Sequence, residues 1–182
     1  MSAAKKGIST LGIIAIIAVI LFFWGKNTYN GLVSKDEGVK SAWAQVENVY
    51  QRRADLIPNL VATVKGYAEH ESSTLEAVVS ARAKATSVNI DPDNLSEEDL
   101  ARYQAAQSEL SSALGRLIAV VENYPDLKAN QNFLELQAQL EGTENRITVE
   151  RQNFNSVAQE YNTSVRQFPA NIIAGLFNFN QK

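Results

Sequence analysis

The first pattern along the chain is an uncharged, strongly apolar segment at residues 7–25, GISTLGIIAIIAVILFFWG. As an α-helix its 19 residues span roughly 28 Å, which matches the hydrocarbon core of a bilayer. A cleaved signal peptide would have a shorter apolar run followed by small residues, whereas this run ends in the bulky Phe22-Phe23-Trp24. We therefore expect a retained transmembrane signal-anchor that follows a short tail at residues 1–6.

Three apolar stripes follow, each advancing by steps of three and four residues, at residues 39–82, 100–124 and 133–168. Their average step of about 3.5 residues is that of helices packed side by side in bundles and coiled coils. The pattern predicts an all-α protein, in which the transmembrane helix precedes an antiparallel up-and-down bundle of three to four long helices. The bundle is assigned to residues 26–170, and an apolar C-terminal tail to residues 171–182.

The predicted helices are separated by recognisable breaks. Residues 89–95 hold Pro92 among Asn and Asp, a loop composition. Ser96-Glu97-Glu98-Asp99 resembles a capping box, with Asp in place of the usual Glu or Gln. Pro125 and Pro169 end the second and third helices, because the residue before a proline avoids the α region.

Pro58 lies inside the first stripe, where a proline removes one helical hydrogen bond and clashes with the preceding turn. The stripe keeps its phase across Pro58, so a kink is favoured over a full reversal. A helix that continued to residue 88 would leave Trp43, Val46 and Tyr50 uncovered, and a sustained apolar stripe is rarely left exposed. Either the chain reverses near Pro58 to form a fourth helix, or this stripe packs on a second copy of the chain. We expect the second arrangement, a homo-oligomer.

Four charged residues lie at stripe positions where apolar side chains would be less costly: Arg53, Glu71, Arg82 and Glu150. In one interpretation their long stems pack against neighbours while the charged groups reach water. In the other they form internal ion pairs that fix the register of the helices. Counting along straight helices then places Arg82 close to Glu150 and Arg53 beside Glu122 and Asp126. It places Glu71 about one turn from Arg146.

Two asparagines of the third stripe, Asn155 and Asn162, each follow an aromatic residue and lie seven positions apart. They therefore share one helix face. They are either polar neighbours of the core aromatics Phe154 and Tyr161, or inward-facing amides that specify register at some cost in stability.

The charged and reactive residues exclude several function classes. The formal net charge is -3, whereas nucleic-acid binding needs basic stripes that displace counterions. The chain has no cysteine, which excludes disulfides and thiolate chemistry. A single histidine, His70, cannot supply the paired ligands of zinc or di-metal helical sites. We expect no enzymatic activity, no cofactor and no nucleic-acid partner.

The lysines beside the predicted anchor indicate its orientation. Lys5 and Lys6 precede it without acids, whereas the lysines that follow, starting with Lys26, are interrupted by Asp36 and Glu37. The total count on the two sides is similar, but the N-terminal side is more positive close to the membrane. The expected topology has the N-terminus inside and the bundle on the periplasmic or extracellular side of a bacterial inner membrane.

Several spaced motifs resemble the LemA family of bacterial membrane proteins. They are YNGLV at 29–33, RRADLIPNLV at 52–61, VKGYAEHE at 64–71, ENYPDLK at 122–128 and EGTENRI at 141–147. The likeness spans roughly residues 29–170 and departs at Phe154, where the family more often has Tyr. It implies an N-terminal anchor and an antiparallel helical bundle, and it implies no established enzymatic activity or cofactor.

Two functions fit these features. The favoured hypothesis is a non-enzymatic, single-pass membrane protein that self-associates as a cell-envelope scaffold or shapes the membrane. The alternative is a monomeric adaptor that presents its bundle to a membrane protease or sensor. The expected structural seam or interface is formed by Trp43, Tyr50, Arg53, Glu71, Arg82, Glu122, Glu150, Asn155 and Asn162.

Overall fold

A computed structural model describes residues 2–182, with side chains from residue 12 onwards. The chain forms α1 (Ser2–Lys65), a 3-10 turn (Glu69–Glu71), α2 (Ser72–Ser87), α3 (Glu97–Val121), α4 (Pro125–Lys128), α5 (Gln131–Arg166) and α6 (Ala170–Leu176). Within these residues there is no β-strand, which confirms the predicted all-α class.

The helices divide into two compact units. The larger, called the bundle unit, comprises residues 40–156 together with Lys182. The smaller, called the anchor unit, combines α1 as far as Val39 with residues 157–181. Helices α1 and α5 therefore contribute residues to both units.

The chain reverses eight residues after Pro58 rather than at it. Helix α1 continues through Pro58 to Lys65, so the reversal considered at this proline is wrong. The α1 end is closed by backbone bonds from Tyr67 N and Ala68 N to the carbonyl of Val64, at 3.0 and 2.9 Å. The fourth long helix of the bundle is therefore α2, which starts at Ser72.

Helix α1 tolerates Pro58 because another residue replaces the missing donor. A proline has no N–H for the carbonyl four residues earlier, here the carbonyl of the buried Ala54. The Nε of Arg82 on α2 donates to that carbonyl oxygen at 2.7 Å. Arg82 thus stabilises the proline-containing turn of α1, and it does not pair with Glu150 as the residue count suggested.

The hydrogen bond from Arg82 to the Ala54 carbonyl predicts that the loss of stability in Arg82→Met depends on whether residue 58 is proline. With Pro58 present, the substitution leaves the Ala54 carbonyl unpaired and should cost about 1–3 kcal/mol of unfolding free energy. In a Pro58→Ala background the restored N–H can bond that carbonyl, so the cost should fall below about 1 kcal/mol. Thermal denaturation of the four variants in a double-mutant cycle measures the difference. An equal cost in both backgrounds would mean that Arg82 acts only through packing of its stem.

Contacts within the bundle unit define an up-and-down order. Arg82 of α2 meets Ala54 of α1, so α2 returns along α1. Trp43 packs on Tyr103 near the start of α3, and α3 therefore runs in the same direction as α1. Trp43 also packs on Phe154 far along α5, so α5 runs back. This is the antiparallel bundle that the periodicity predicted.

Buried aliphatic residues from all four helices fill the core of the bundle unit, including Ile57, Leu60, Val64, Leu75, Val78, Leu110, Leu117 and Leu140. Side chains cap the starts of α3 and α5, and the cap of α3 is the one that the sequence predicts. Ser96 Oγ accepts from Asp99 N at 3.1 Å at the start of α3. Asn130 Oδ1 accepts from Phe133 N at 3.0 Å at the start of α5. Each cap satisfies a backbone donor that the helix itself leaves free.

In the anchor unit, α1 carries the apolar segment. Among the described residues it is the one helix long and apolar enough to cross a bilayer. Its large apolar side chains from Ile13 to Phe23 are exposed, as expected of a surface that lipid would cover. Lys35 of α1 forms an ion pair with Glu160 of α5 within the same unit, and this pair lowers the pKa of the Glu160 carboxyl.

Candidate functional site

An aromatic cluster buries the Trp43 stripe inside the bundle unit. The indole of Trp43 lies 5.2 Å from the ring of Tyr103 and 5.3 Å from that of Phe154, both edge-on. Tyr50 packs edge-on against Tyr103 at 5.5 Å. Trp43 is 3 % exposed and Tyr50 is 5 % exposed. Helices α3 and α5 therefore cover the stripe, and the expectation that it packs on a second copy is wrong.

Burial also shifts the pKa values of the ionisable side chains in and beside this cluster. It raises the pKa of the Tyr103 and Tyr50 hydroxyls above the ordinary range, so both stay neutral near neutral pH. Burial also raises the pKa of the half-buried Glu47 carboxyl. The cluster contains no nucleophile with a lowered pKa, and its rings serve packing.

The most buried charged group is Arg53, whose side chain is 1 % exposed. Its Nη1 donates to Ser111 Oγ at 2.6 Å and to Glu144 Oε1 at 2.8 Å. Its Nη2 donates to the side-chain and backbone oxygens of Gln107, at 2.6 and 3.1 Å. The guanidinium also lies 5.1 Å from the centre of the Tyr50 ring, within cation–π range. Arg53 thereby joins α1, α3 and α5 through one side chain.

The partner of Arg53 differs from the one that counting suggested. Glu144 on α5 accepts a hydrogen bond from Arg53 and forms an ion pair with it, whereas Glu122 forms an ion pair with Lys128. The count assumed that the first helix ran straight to residue 88. Because α2 instead turns back along α1, Arg53 faces Glu144 of α5 rather than the earlier residues that the count indicated.

The other charged stripe residues are also separated from one another. Glu71 accepts a hydrogen bond from the Tyr124 hydroxyl at 2.9 Å, and this bond raises the pKa of that hydroxyl. Glu150 is half-buried and forms no ion pair with Arg82, whose Nε is directed at a backbone carbonyl. The set of internal charge pairs is therefore reduced to one, Arg53 with Glu144, in the part of the chain that the structure describes.

The two asparagines do not form an inward-facing pair. Asn155 is exposed and Asn162 is half-buried, while Phe154 and Tyr161 beside them are buried. The interpretation as polar neighbours of core aromatics fits this arrangement.

Sequence reasoning missed Gln107, Ser111 and Glu144, the three residues that hold Arg53. Gln107 did interrupt the second apolar stripe at a position that the helical period assigns to the core. A buried amide facing a buried arginine was therefore detectable, but its pairing required the correct register.

A groove of about 630 Å³ opens between α3 and α5 on the surface of the bundle unit. Its apolar lining includes Leu114, Gly115, Ile118 and Leu140. Glu141 and Glu144 contribute carboxylates to its wall. A Cβ atom added to Gly115 would meet no other atom within 4 Å, so the groove is open at Gly115. Across the described residues no cluster of three or more metal-ligating side chains is present.

Comparison with known proteins identifies the family. A model of the LemA family matches residues 42–182. The chain is 26% identical over 155 residues to Protein LemA of Metamycoplasma hominis, a match covering 85% of this chain and 67% of that protein. It is 27% identical over 191 aligned positions to Magnetosome protein MamQ 2 of Paramagnetospirillum magneticum, covering 96% of this chain and 68% of that protein. Magnetosome protein MamQ of Magnetospirillum gryphiswaldense is 26% identical, with the same two coverages of 96% and 68%.

The family match and the apolar segment of α1 together describe a membrane-associated helical protein. The match extends over most of the chain and includes the residues that hold Arg53 as well as the aromatic cluster. This chain therefore belongs to the LemA family.

Proposed function

We propose that this protein is a non-enzymatic, membrane-tethered adaptor whose groove between α3 and α5 receives a basic amphipathic helix of another membrane protein. The observation that supports the proposal is the groove itself, an apolar channel with carboxylates on its wall. An amphipathic helix places apolar residues along one face and charged residues beside them. Lysine or arginine beside that apolar face would meet Glu141 and the exposed part of Glu144, whose Oε1 is already bonded to Arg53.

The burial of the aromatic cluster favours the adaptor over the self-associating scaffold. The contact between copies predicted for the scaffold used the Trp43 stripe, and α3 and α5 of the same chain cover that stripe. Homo-oligomerisation stays a prediction, although the buried Trp43 stripe cannot serve as its interface.

A defined peptide tests the groove. A labelled helical peptide of leucine and lysine, with leucines at steps of three and four, is titrated into the full chain in zwitterionic nanodiscs. Fluorescence anisotropy should show binding that Gly115→Trp weakens by about tenfold. A Cβ at Gly115 would meet no atom within 4 Å, so we expect the variant to fold, and circular dichroism checks that it does.

Two controls test whether the peptide binds in the groove rather than to the lipid or elsewhere on the protein surface. Gly142→Trp changes a second exposed glycine with no atom within 4 Å of its Cβ, but Gly142 does not line the groove, so binding should be unchanged. A peptide with glutamate in place of lysine should bind more weakly. Equal affinity for the two tryptophan variants would exclude the groove as the docking site.

The adaptor is further proposed to face the outside of the cell, with the N-terminal tail in the cytoplasm. The chain has no cysteine, so single cysteines report topology directly. Val149→Cys, at an exposed position of α5, should react with a membrane-impermeant maleimide in intact spheroplasts. Ser2→Cys should react only after lysis. The reverse pattern would place the bundle in the cytoplasm.

A further inference from the structure

The C-terminal segment of the anchor unit exposes an unusual number of large apolar side chains. Phe168 is 81 % exposed, Leu176 is 70 % exposed and Phe177 is 57 % exposed, and Ile172 on α6 is also exposed. Residues 167–181 carry no charged side chain. Soluble surfaces rarely gather such residues without a partner.

Helix α6 and the residues after it contact α1 close to the end of its apolar run. Ile173 Cδ1 lies 3.7 Å from where a Cβ of Gly25 would be, and Gly25 is the last residue of the apolar run. Tyr29, one turn further, packs edge-on against Phe177 at 4.7 Å and against Phe179 at 5.6 Å. Helix α6 therefore packs on α1 where the membrane-spanning segment ends.

The composition of this segment suits the boundary between acyl chains and headgroups. Its aromatic and aliphatic side chains can enter the acyl region, while Asn171, Asn178 and Asn180 can hydrogen-bond to headgroups or water. Trp24 on α1, at the same level, is only half-buried by the protein, and indole rings favour this zone. A segment that exposes apolar residues beside a transmembrane span can bury them at the boundary between headgroups and acyl chains.

We propose that α6 and the residues around it form a second membrane contact, embedded in the outer part of the lipid leaflet next to the end of the α1 span. Phe168, Ile172, Leu176 and Phe177 contact lipid. The partner is the phospholipid bilayer itself, rather than another copy of the chain or a separate protein. This contact is independent of the groove between α3 and α5, so either proposal can fail without the other.

Spin labels at single cysteines in the full, otherwise cysteine-free chain test this contact. Leu176→Cys and Ile172→Cys are labelled, and the protein is reconstituted into vesicles of phosphatidylcholine and phosphatidylglycerol. Both positions are exposed, so labelling does not disturb the core. Collision rates are then measured with oxygen, which concentrates in lipid, and with a water-soluble nickel complex. Both labels should collide more with oxygen than with nickel, as a label at Ile17→Cys in the span does.

The matched control is Val149→Cys, an exposed apolar position in the bundle unit, which should collide more with nickel. If the labels at 172 and 176 behave like the one at 149, α6 lies in water and the proposal is wrong. If they are shielded from both reagents and broaden each other's spectra until unlabelled chain is added, a second copy covers α6 and the lipid contact is also wrong.

Discussion

Replacing Trp43 with alanine is expected to remove about 3–5 kcal/mol of unfolding free energy from the bundle unit. The indole is 3 % exposed and contacts Tyr103 on α3 and Phe154 on α5. Its removal leaves a cavity at the point where three helices meet, and the surrounding rings can refill that cavity only in part. Far-UV circular dichroism of the full chain in detergent should show a midpoint lowered by about 10–20 °C.

The second tryptophan of the chain supplies the matched control. Trp24 lies at the end of the apolar segment in the anchor unit, and Trp24→Ala removes the same side chain outside the bundle core. The bundle melt should then be nearly unchanged. Trp24→Ala also leaves Trp43 as the only indole, so its fluorescence follows the unfolding of the aromatic cluster alone.

One outcome would instead support a homo-oligomer in which the Trp43 stripes of two copies pack together. If Trp43→Ala melts at the original temperature but the protein becomes smaller in detergent, Trp43 packs between copies of the chain. The contacts with Tyr103 and Phe154 predict the opposite, a loss of stability without a change in assembly.

Hydrophobic periodicity predicted most of the helices because each long helix buries one continuous face. It failed at the reversal after Lys65. The apolar stripe continues in phase from Val64 to Leu75 across the turn, so the step of three and four shows no break there. Gly66 was the available signal, since a glycine often follows the last turn of a helix. Pro58 is the stronger helix-breaking signal in this stretch and outweighs Gly66.

Pro58 predicts a kink, with a reversal as the alternative, because a helix interior has no spare donor for the carbonyl that a proline leaves unpaired. In this fold the spare donor is Arg82, which lies 24 positions later in the sequence and reaches the Ala54 carbonyl across the α1–α2 contact. A single sequence contains no local sign of that donor. The charge of Arg82 is conspicuous within an apolar stripe, but its acceptor is a backbone carbonyl and so has no signature among the side chains.

The pairing of Arg53 was wrong for a related reason. Register counting assumed three helices and one straight first helix, so the missed reversal shifted every expected contact. The burial of a charged residue was correctly suspected, whereas its acceptors depended on the true course of α2. Local pattern thus fixes which residues face inward, and the connections between helices fix which of them meet.

Glu144→Gln is expected to cost about 3 kcal/mol, the lower end of the range for breaking a buried ion pair. It leaves the guanidinium of Arg53, 1 % exposed, without a counter-charge, although the side chain of Glu144 is itself 41 % exposed and admits some water. Glu150→Gln is the control on the same helix. It removes a half-buried carboxylate that is not part of the Arg53 site, so its cost should stay below about 1 kcal/mol.

The double variant Arg53→Met with Glu144→Gln separates the charge from the packing. Methionine keeps much of the stem volume and removes the charge, so the double variant should be more stable than Glu144→Gln alone. It should not reach the stability of the original protein, because Gln107 and Ser111 lose the donor that both now accept from. Thermal melts at low and high salt complete the test, since a buried pair is screened much less than a surface pair. A cost for Glu144→Gln no larger than that of Glu150→Gln would mean that the neutral oxygens of Gln107 and Ser111 suffice to hold Arg53.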